Sequence, residues 1–183
     1  IGYGRMIADS ARRRRALTSA QGVVGALLDR DGDRTVHELL DRHRAEIVDH
    51  ALRSLARCHL EHYEAEGAEA VRERMQRLFD LTRETMLTRN AEAMVGYAGR
   101  IAEERFTAGF DLLEVQTAFN VLEEAIWSRV LKAMDPAEFA QAIGLVSTVL
   151  GLGKDALARA YVSQAAQVKA PAIDYKALFR GTV

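Results

Sequence analysis

The feature that most constrains this chain is a succession of apolar stripes at helical spacing, almost uninterrupted by proline. The 183 residues include two prolines, Pro136 and Pro171, so most of the backbone is free to be helical. Apolar residues recur every three or four positions in one segment after another, and no segment alternates with a period of two. The sequence therefore predicts an all-α fold without a sheet.

Start and stop signals divide the first part of the chain into three helices. Thr35 and Glu38 have the spacing of a capping box, which predicts a helix over 35–63. After a break at Glu64-Ala65-Glu66-Gly67, a second helix is predicted to end near residue 90. A third runs over 91–109 and stops at a glycine, which suits the left-handed position after a helix.

Two further main helices complete the predicted bundle of five. Asp111-Leu112-Leu113-Glu114 repeats the capping arrangement and starts a helix that reaches about Met134. Asp135-Pro136 starts the last helix, with proline at its first position. Gly144 and Gly151, seven residues apart, are expected to let a neighbouring helix approach closely.

The chain is predicted to consist of a regulatory domain over 35–167, a helical extension over 1–34 and an extended tail over 168–183. The extension carries apolar residues that lack an obvious place in the core, and these predict the face of a homodimer: Leu17, Val24, Leu27 and Leu28. An interface of about 800 Å² per partner would be of ordinary size.

The tail combines large apolar side chains with basic ones, which is unusual for a disordered end. It is predicted to be a peptide that docks on a partner or on the acidic body of the domain through Ile173, Tyr175, Leu178, Phe179 and Arg180. The alternative is that these residues cover the core of their own domain.

Charge and hydropathy argue against nucleic-acid and membrane partners. The net charge is −1, and Arg12 to Arg15 is interpreted as a solvated face. The longest uncharged stretch, 139–153, is 15 residues long, which is shorter than the ~20 that a membrane span needs. With a single cysteine, Cys58, the chain is predicted to be cytoplasmic.

No catalytic or metal-binding pattern stands out, so the chain is predicted not to be an enzyme. Cys58, His59 and His62 lack a fourth ligand at a recognisable spacing. Leu150 to Lys154 lacks the earlier glycine and the preceding strand of a phosphate loop, which indicates a packing segment. Glu123-Glu124 is interpreted as a solvated face. All five histidines are expected to lie in one helix: His37, His43, His50, His59 and His62.

One segment resembles a known family. A segment of nineteen residues is similar to the N-terminal domain of RsbR and RsbRD proteins. It reads Ile101-Ala102-Glu103-Glu104-Arg105-Phe106-Thr107-Ala108-Gly109-Phe110-Asp111-Leu112-Leu113-Glu114-Val115 and continues with Gln116-Thr117-Ala118-Phe119. Leu39 to Ile47 resembles the opening helix of the family, and Tyr161 matches the end of its closing helix. The resemblance covers about 37–162.

This resemblance implies a globin-like helical fold without haem, in co-antagonists of stress signalling. It implies a sensor domain that dimerises and controls a protein partner. Family members usually continue into a STAS domain, a histidine kinase or a helix-turn-helix regulator. The residues after the domain match none of these, so the output module is expected to be missing from this chain. Either it was cut away, or the domain acts by itself through its tail or its surface.

Two alternatives stay open at this point. A haem-binding gas sensor on the same fold needs an axial ligand. No histidine follows His62, so Tyr97, Met94 or Cys58 would have to substitute. A TetR-like repressor has the right length and helicity, but residues 1–45 lack the turn glycine and recognition helix of such domains. We therefore predict that neither a haem nor a metal is bound.

Overall fold

A computed structural model describes residues 30–168, with side chains described for residues 35–167. Within this part of the chain there are six α-helices and a 3₁₀ turn at Pro136–Glu138. These residues include no strand, which confirms the all-α prediction, and there are six helices in place of five because the first predicted helix is divided in two. The helices are α1 (Arg30–Ala56), α2 (Glu61–Glu66), α3 (Ala68–Thr88), α4 (Glu92–Thr107), α5 (Leu112–Ala133) and α6 (Phe139–Val168).

Two predictions concern residues outside this description. The candidate dimer face lies outside the described residues: Leu17, Val24, Leu27 and Leu28. The docking residues of the tail also lie outside them: Ile173, Tyr175, Leu178, Phe179 and Arg180.

The core is formed where α5 packs between α1 and α6, with α4 along α6 and α3 against α1. Every long helix contributes apolar residues to one continuous cluster. The largest side chains that are fully buried in it are Phe79, Phe119, Leu40, Ile47, Leu81, Met86, Met94, Leu122, Ile126, Leu150 and Leu157. Burial of these residues from five helices holds the bundle together through the hydrophobic effect.

The predicted bounds of the first helix are wrong at both ends. The helix is already formed at Arg30, so Thr35 lies inside it and is not its cap; its hydroxyl donates to Glu138 Oε1 at 3.5 Å instead. The helix ends at Ala56, and His59 adopts a left-handed φ of 49°. The apolar stripe continues as far as Tyr63 because that residue packs on the core from the separate helix α2.

Three ion pairs among the described residues connect α3 to α1. Arg44 donates to both carboxylate oxygens of Asp80 at 3.0 and 2.8 Å, and Arg72 donates to Asp49 at 2.7 Å. Arg83 pairs with Asp41, and this hydrogen bond lowers the pKa of the Asp41 carboxyl. The pairs run between early residues of one helix and late residues of the other, so α1 and α3 are antiparallel.

The turn between α4 and α5 forms as its local signals predict. Gly109 takes a φ of 86°, and the amide of Phe110 donates to Arg105 O at 3.0 Å, which closes the end of α4. Asp111 caps α5 in a complete capping box: it accepts from the Leu113 amide at 2.7 Å, and Glu114 accepts from the Asp111 amide at 3.0 Å.

The glycine that permits close helix packing is not one of the two predicted. A Cβ on Gly144 or Gly151 would have no atom within 4 Å. A Cβ on Gly153 would lie 2.7 Å from Phe119 Cε1 and 3.1 Å from Met94 Sδ. This contact confirms that the Leu150 to Lys154 segment packs against neighbouring helices.

Candidate functional site

A buried cation, Arg105, lies near the end of α4. Its residue exposure is 2%, and a charge removed from water at this depth requires a partner. Glu66 of α2 supplies both carboxylate oxygens, which accept from Nη1 at 2.8 Å and from Nη2 at 3.0 Å. The guanidinium carbon also lies 4.2 Å from the ring centroid of Phe110. Arg105 is therefore held by a fork of two hydrogen bonds and an aromatic face.

The Glu66–Arg105 pair belongs to a larger group of charged residues that includes Arg74 of α3. Glu66 also contacts Arg74, and Arg74 donates to Glu104 at 2.9 Å. Since Glu66 lies on α2, Arg74 on α3 and Glu104 on α4, this chain of charges connects three helices.

A second polar contact holds the other end of α2. His62 Nδ1 lies 2.8 Å from Glu114 Oε2, in the capping box of α5, and the His62 ring is 4.6 Å from the Phe110 centroid. We call Glu66, Arg105, Phe110, His62 and Glu114 the Arg105 clamp. No residue of α2 is fully buried, so charged and aromatic contacts attach this helix to the bundle.

A small cavity lies beneath the clamp. It has a volume of about 30 Å³ and is lined on its polar side by Tyr63, Tyr97, Arg74 and Arg105. Burial raises the pKa of both tyrosines above its ordinary value. Cofactor and drug-sized ligand sites are of the order of 300–1,000 Å³, so this cavity has room for about one water molecule.

Tyr161 of α6 lies over the same end of the bundle, with its ring 5.7 Å from Phe106 in an edge-to-face arrangement. Its hydroxyl has no hydrogen-bond partner among the described residues. Burial raises the pKa of Tyr161 to about 12. The closing tyrosine of the resemblance thus packs on the helix that carries Arg105.

The histidines are not in one helix, contrary to the prediction. His37, His43 and His50 lie on α1, His59 in the following turn and His62 on α2. Cys58 and His59 are exposed, and no group of three potential ligands forms a metal site in the described part of the chain.

Met94, Tyr97 and Cys58, the residues that could replace histidine as a haem ligand, differ in burial and do not share one site. Met94 is fully buried against Gly153, Tyr97 lines the small cavity, and Cys58 is exposed.

The interpretation of Glu123-Glu124 as a solvated face is correct for Glu124 and wrong for Glu123. Glu124 is exposed, but Glu123 is buried at 8% exposure. It is buried because Lys154 of α6 donates to its carboxylate at 2.7 Å, which neutralises the charge across the helix pair.

Comparison with known proteins now decides the relationship. The model of the RsbT co-antagonist protein rsbRD N-terminal domain matches residues 37–170. The chain belongs to the RsbRD N-terminal domain family. This is a family of signalling and regulatory domains, and its match includes every residue of the Arg105 clamp. No curated protein and no solved structure matches the chain.

Arg105 and Glu114 both lie in the segment that resembles the family, but neither was predicted to belong to a site. A signal was present for Arg105, since it follows Met94, Ala98 and Ala102 on the buried stripe of α4. An arginine at a core position predicts a buried carboxylate partner. Which carboxylate it meets depends on the tertiary fold, because Glu66 is 39 residues away.

Proposed function

We propose that this RsbRD N-terminal domain is a non-enzymatic signalling module that acts through protein–protein contact, with α2 as the contact element. The main support for this proposal is the way in which α2 is attached to the bundle. The Arg105 clamp holds this helix, and none of its residues is fully buried. A short helix fixed by charges and by the partly buried ring of Tyr63 is easier to displace than one fixed by a fully buried apolar face.

A buried ion pair suits such a role. The cost of desolvating two charges offsets most of their attraction, so the pair specifies an orientation more than it stabilises the fold. A partner that supplies its own carboxylate or arginine to the clamp would exchange one set of charge pairs for another. The position of α2 would then report the presence of that partner.

The domain acts as a homodimer in this proposal, through the face that includes Leu17, Val24, Leu27 and Leu28. Light scattering at tens of micromolar is expected to give twice the 20.3 kDa of one chain. A monomeric mass under these conditions would contradict the dimer.

The proposal further places the domain in the cytoplasm and gives it no haem, metal, nucleic-acid or membrane partner. The described residues include no helix that is long and apolar enough to cross a membrane. No histidine, the usual axial ligand of haem, follows His62 in the sequence, and this supports the absence of haem. Protein expressed with added haem is expected to show no Soret band; a band removed by one point substitution would contradict this.

Site-specific photocross-linking in cells tests the contact element. A photoreactive residue replaces Ala65, which is exposed on α2, and in a matched variant it replaces Ala133, which is exposed at the end of α5. We expect a discrete cross-linked protein from position 65 that is absent from position 133. Equal products from both positions, or none from position 65, would contradict the proposal.

A further inference from the structure

We propose that a groove beside α2 binds the chain's own C-terminal segment, residues 169–183. This α2 groove lies between the end of α1, α2 and the start of α3, and has a volume of about 360 Å³. Its walls are mostly apolar and include Leu52, Leu55, Leu60, Tyr63, Ala68 and Val71. The inference goes beyond the proposed function, because occupation of the groove does not require α2 to contact another protein.

The last described helix leads to this end of the bundle. Tyr161 packs on Phe106, and the neighbouring Arg105 has its guanidinium carbon 5.7 Å from the Tyr63 ring, which lines the groove. Val168 follows Tyr161 by seven residues, about 10 Å along a helix axis. The C-terminal segment therefore starts at the same end of the bundle as the groove.

The segment is long enough to reach the groove. Its 15 residues span up to about 50 Å when extended. Pro171 disfavours continuation of the helix, so the chain can turn after Val168. Ile173, Tyr175, Leu178 and Phe179 then provide apolar side chains for an apolar groove.

Charge complementarity supports the same occupant. Residues 61–73 include five glutamates and one arginine, and that arginine, Arg72, already pairs with Asp49. Glu64 lines the groove, and Glu61, Glu69 and Glu73 are exposed on the same two helices, α2 and α3. The tail brings Lys169, Lys176 and Arg180 against one aspartate. Opposite charges at the rim of an apolar site favour this pairing and fix its orientation.

The N-terminal segment fits less well because it starts at the other end of the bundle. Thr35, early in α1, contacts Glu138 in the 3₁₀ turn, whereas the groove lies at the end of α1. Thr35 and Ala56 are 21 residues apart along α1, which is kinked at His43, so the two ends lie up to about 30 Å apart.

Disulfide trapping in the full chain tests the inference with the single native cysteine. Cys58 is exposed and lies between Ala56 and Leu60, which both line the groove. A second cysteine is introduced in the tail by Ala177→Cys or, as the control, in the N-terminal segment by Ala20→Cys. Intrachain and interchain disulfides are separated on non-reducing gels and identified by mass spectrometry of the peptides.

We expect an intrachain bond from Cys58 to position 177 that forms at least tenfold faster than the bond to position 20. Replacing Leu178 and Phe179 by serine in the Ala177→Cys chain is expected to slow it about tenfold, without disturbing the described domain. Equal rates for the two positions, a rate insensitive to the serine substitutions, or a bond that forms only between chains would overturn the inference. The last result would assign the groove to a second copy.

Discussion

Glu66 binds the guanidinium of Arg105 through both carboxylate oxygens, although the two residues are 39 positions apart and Glu66 lies on a helix that has no fully buried residue. The pair joins α2, the shortest α-helix among the described residues, to the end of α4. This contact fixes the last residue of α2 against the bundle.

Removing the charge of Glu66 is expected to destabilise the domain. In Glu66→Gln, the buried guanidinium of Arg105 loses its counter-charge, which is expected to lower the free energy of unfolding by about 2 kcal/mol. Glu69→Gln is the control, because Glu69 is exposed at the start of α3, and it should change stability by less than about 0.5 kcal/mol. Urea unfolding followed by circular dichroism measures both. Equal effects would show that the pair has no special role.

Glu114 has two tasks, since the same oxygen accepts from the Asp111 amide and contacts His62. Glu114→Ala is expected to cost about 1–2 kcal/mol, as the loss of a capping interaction and a charged hydrogen bond would. Glu124→Ala, an exposed position on the same helix, should be nearly neutral. Thermal unfolding of the two variants compares them, and a neutral Glu114→Ala would refute the double role.

Two glycines on α6 give a matched test of helix packing. Gly153→Ala places a methyl group against Phe119 and Met94 and should destabilise by about 1–3 kcal/mol through overpacking. Gly151→Ala meets no atom within 4 Å and should stabilise by about 0.5–1 kcal/mol through helix propensity. Denaturant titration distinguishes the two signs. Stabilisation by both substitutions would place Gly153 outside the contact.

Tyr161→Phe removes a buried hydroxyl that has no partner among the described residues. At neutral pH the substitution should be neutral or stabilise by up to about 1 kcal/mol. A pKa of about 12 in the folded state, against about 10 when unfolded, means that the unfolded state loses its proton first. The free energy of unfolding therefore decreases as pH rises from 10 to 12. In Tyr161→Phe this decrease should be smaller. Unfolding curves across this range measure the difference; identical slopes would contradict the raised pKa.

The sequence predicted the fold where local signals decide it. The capping box at Asp111 and the helical spacing of the apolar residues after it predicted α5 to within a residue or two, because a helix start and an apolar face are both local properties. The break between α1 and α2 was missed. Residues 57–60 contain neither glycine nor proline, and His59 adopts its left-handed conformation within the folded chain.

The site was less predictable than the fold. Phe110 and Glu114 belong to the motif that resembles the family, but Glu66 lies in a segment that was interpreted only as a break. A buried ion pair between distant segments depends on how α2 folds back onto α4, and helical periodicity contains no information about that. The family relationship was confirmed by the match over residues 37–170, whereas the homodimer and the docking tail stay predictions.

A distance measured from α2 to α5 tests whether the Arg105 clamp sets the position of α2. In a chain with Cys58→Ser, spin labels at Ala65→Cys and Ala133→Cys measure the distance from α2 to the opposite end of α5 by pulsed electron paramagnetic resonance. Labels at Arg77→Cys and Ala133→Cys report on α3 as the control, since Arg77 and Ala133 are both exposed. We predict one narrow distance for the 65–133 pair, and a second, separate distance when Glu66→Gln is added, with the 77–133 distance unchanged. An unchanged 65–133 distance in the Glu66→Gln chain would contradict the claim that the Arg105 clamp sets the position of α2.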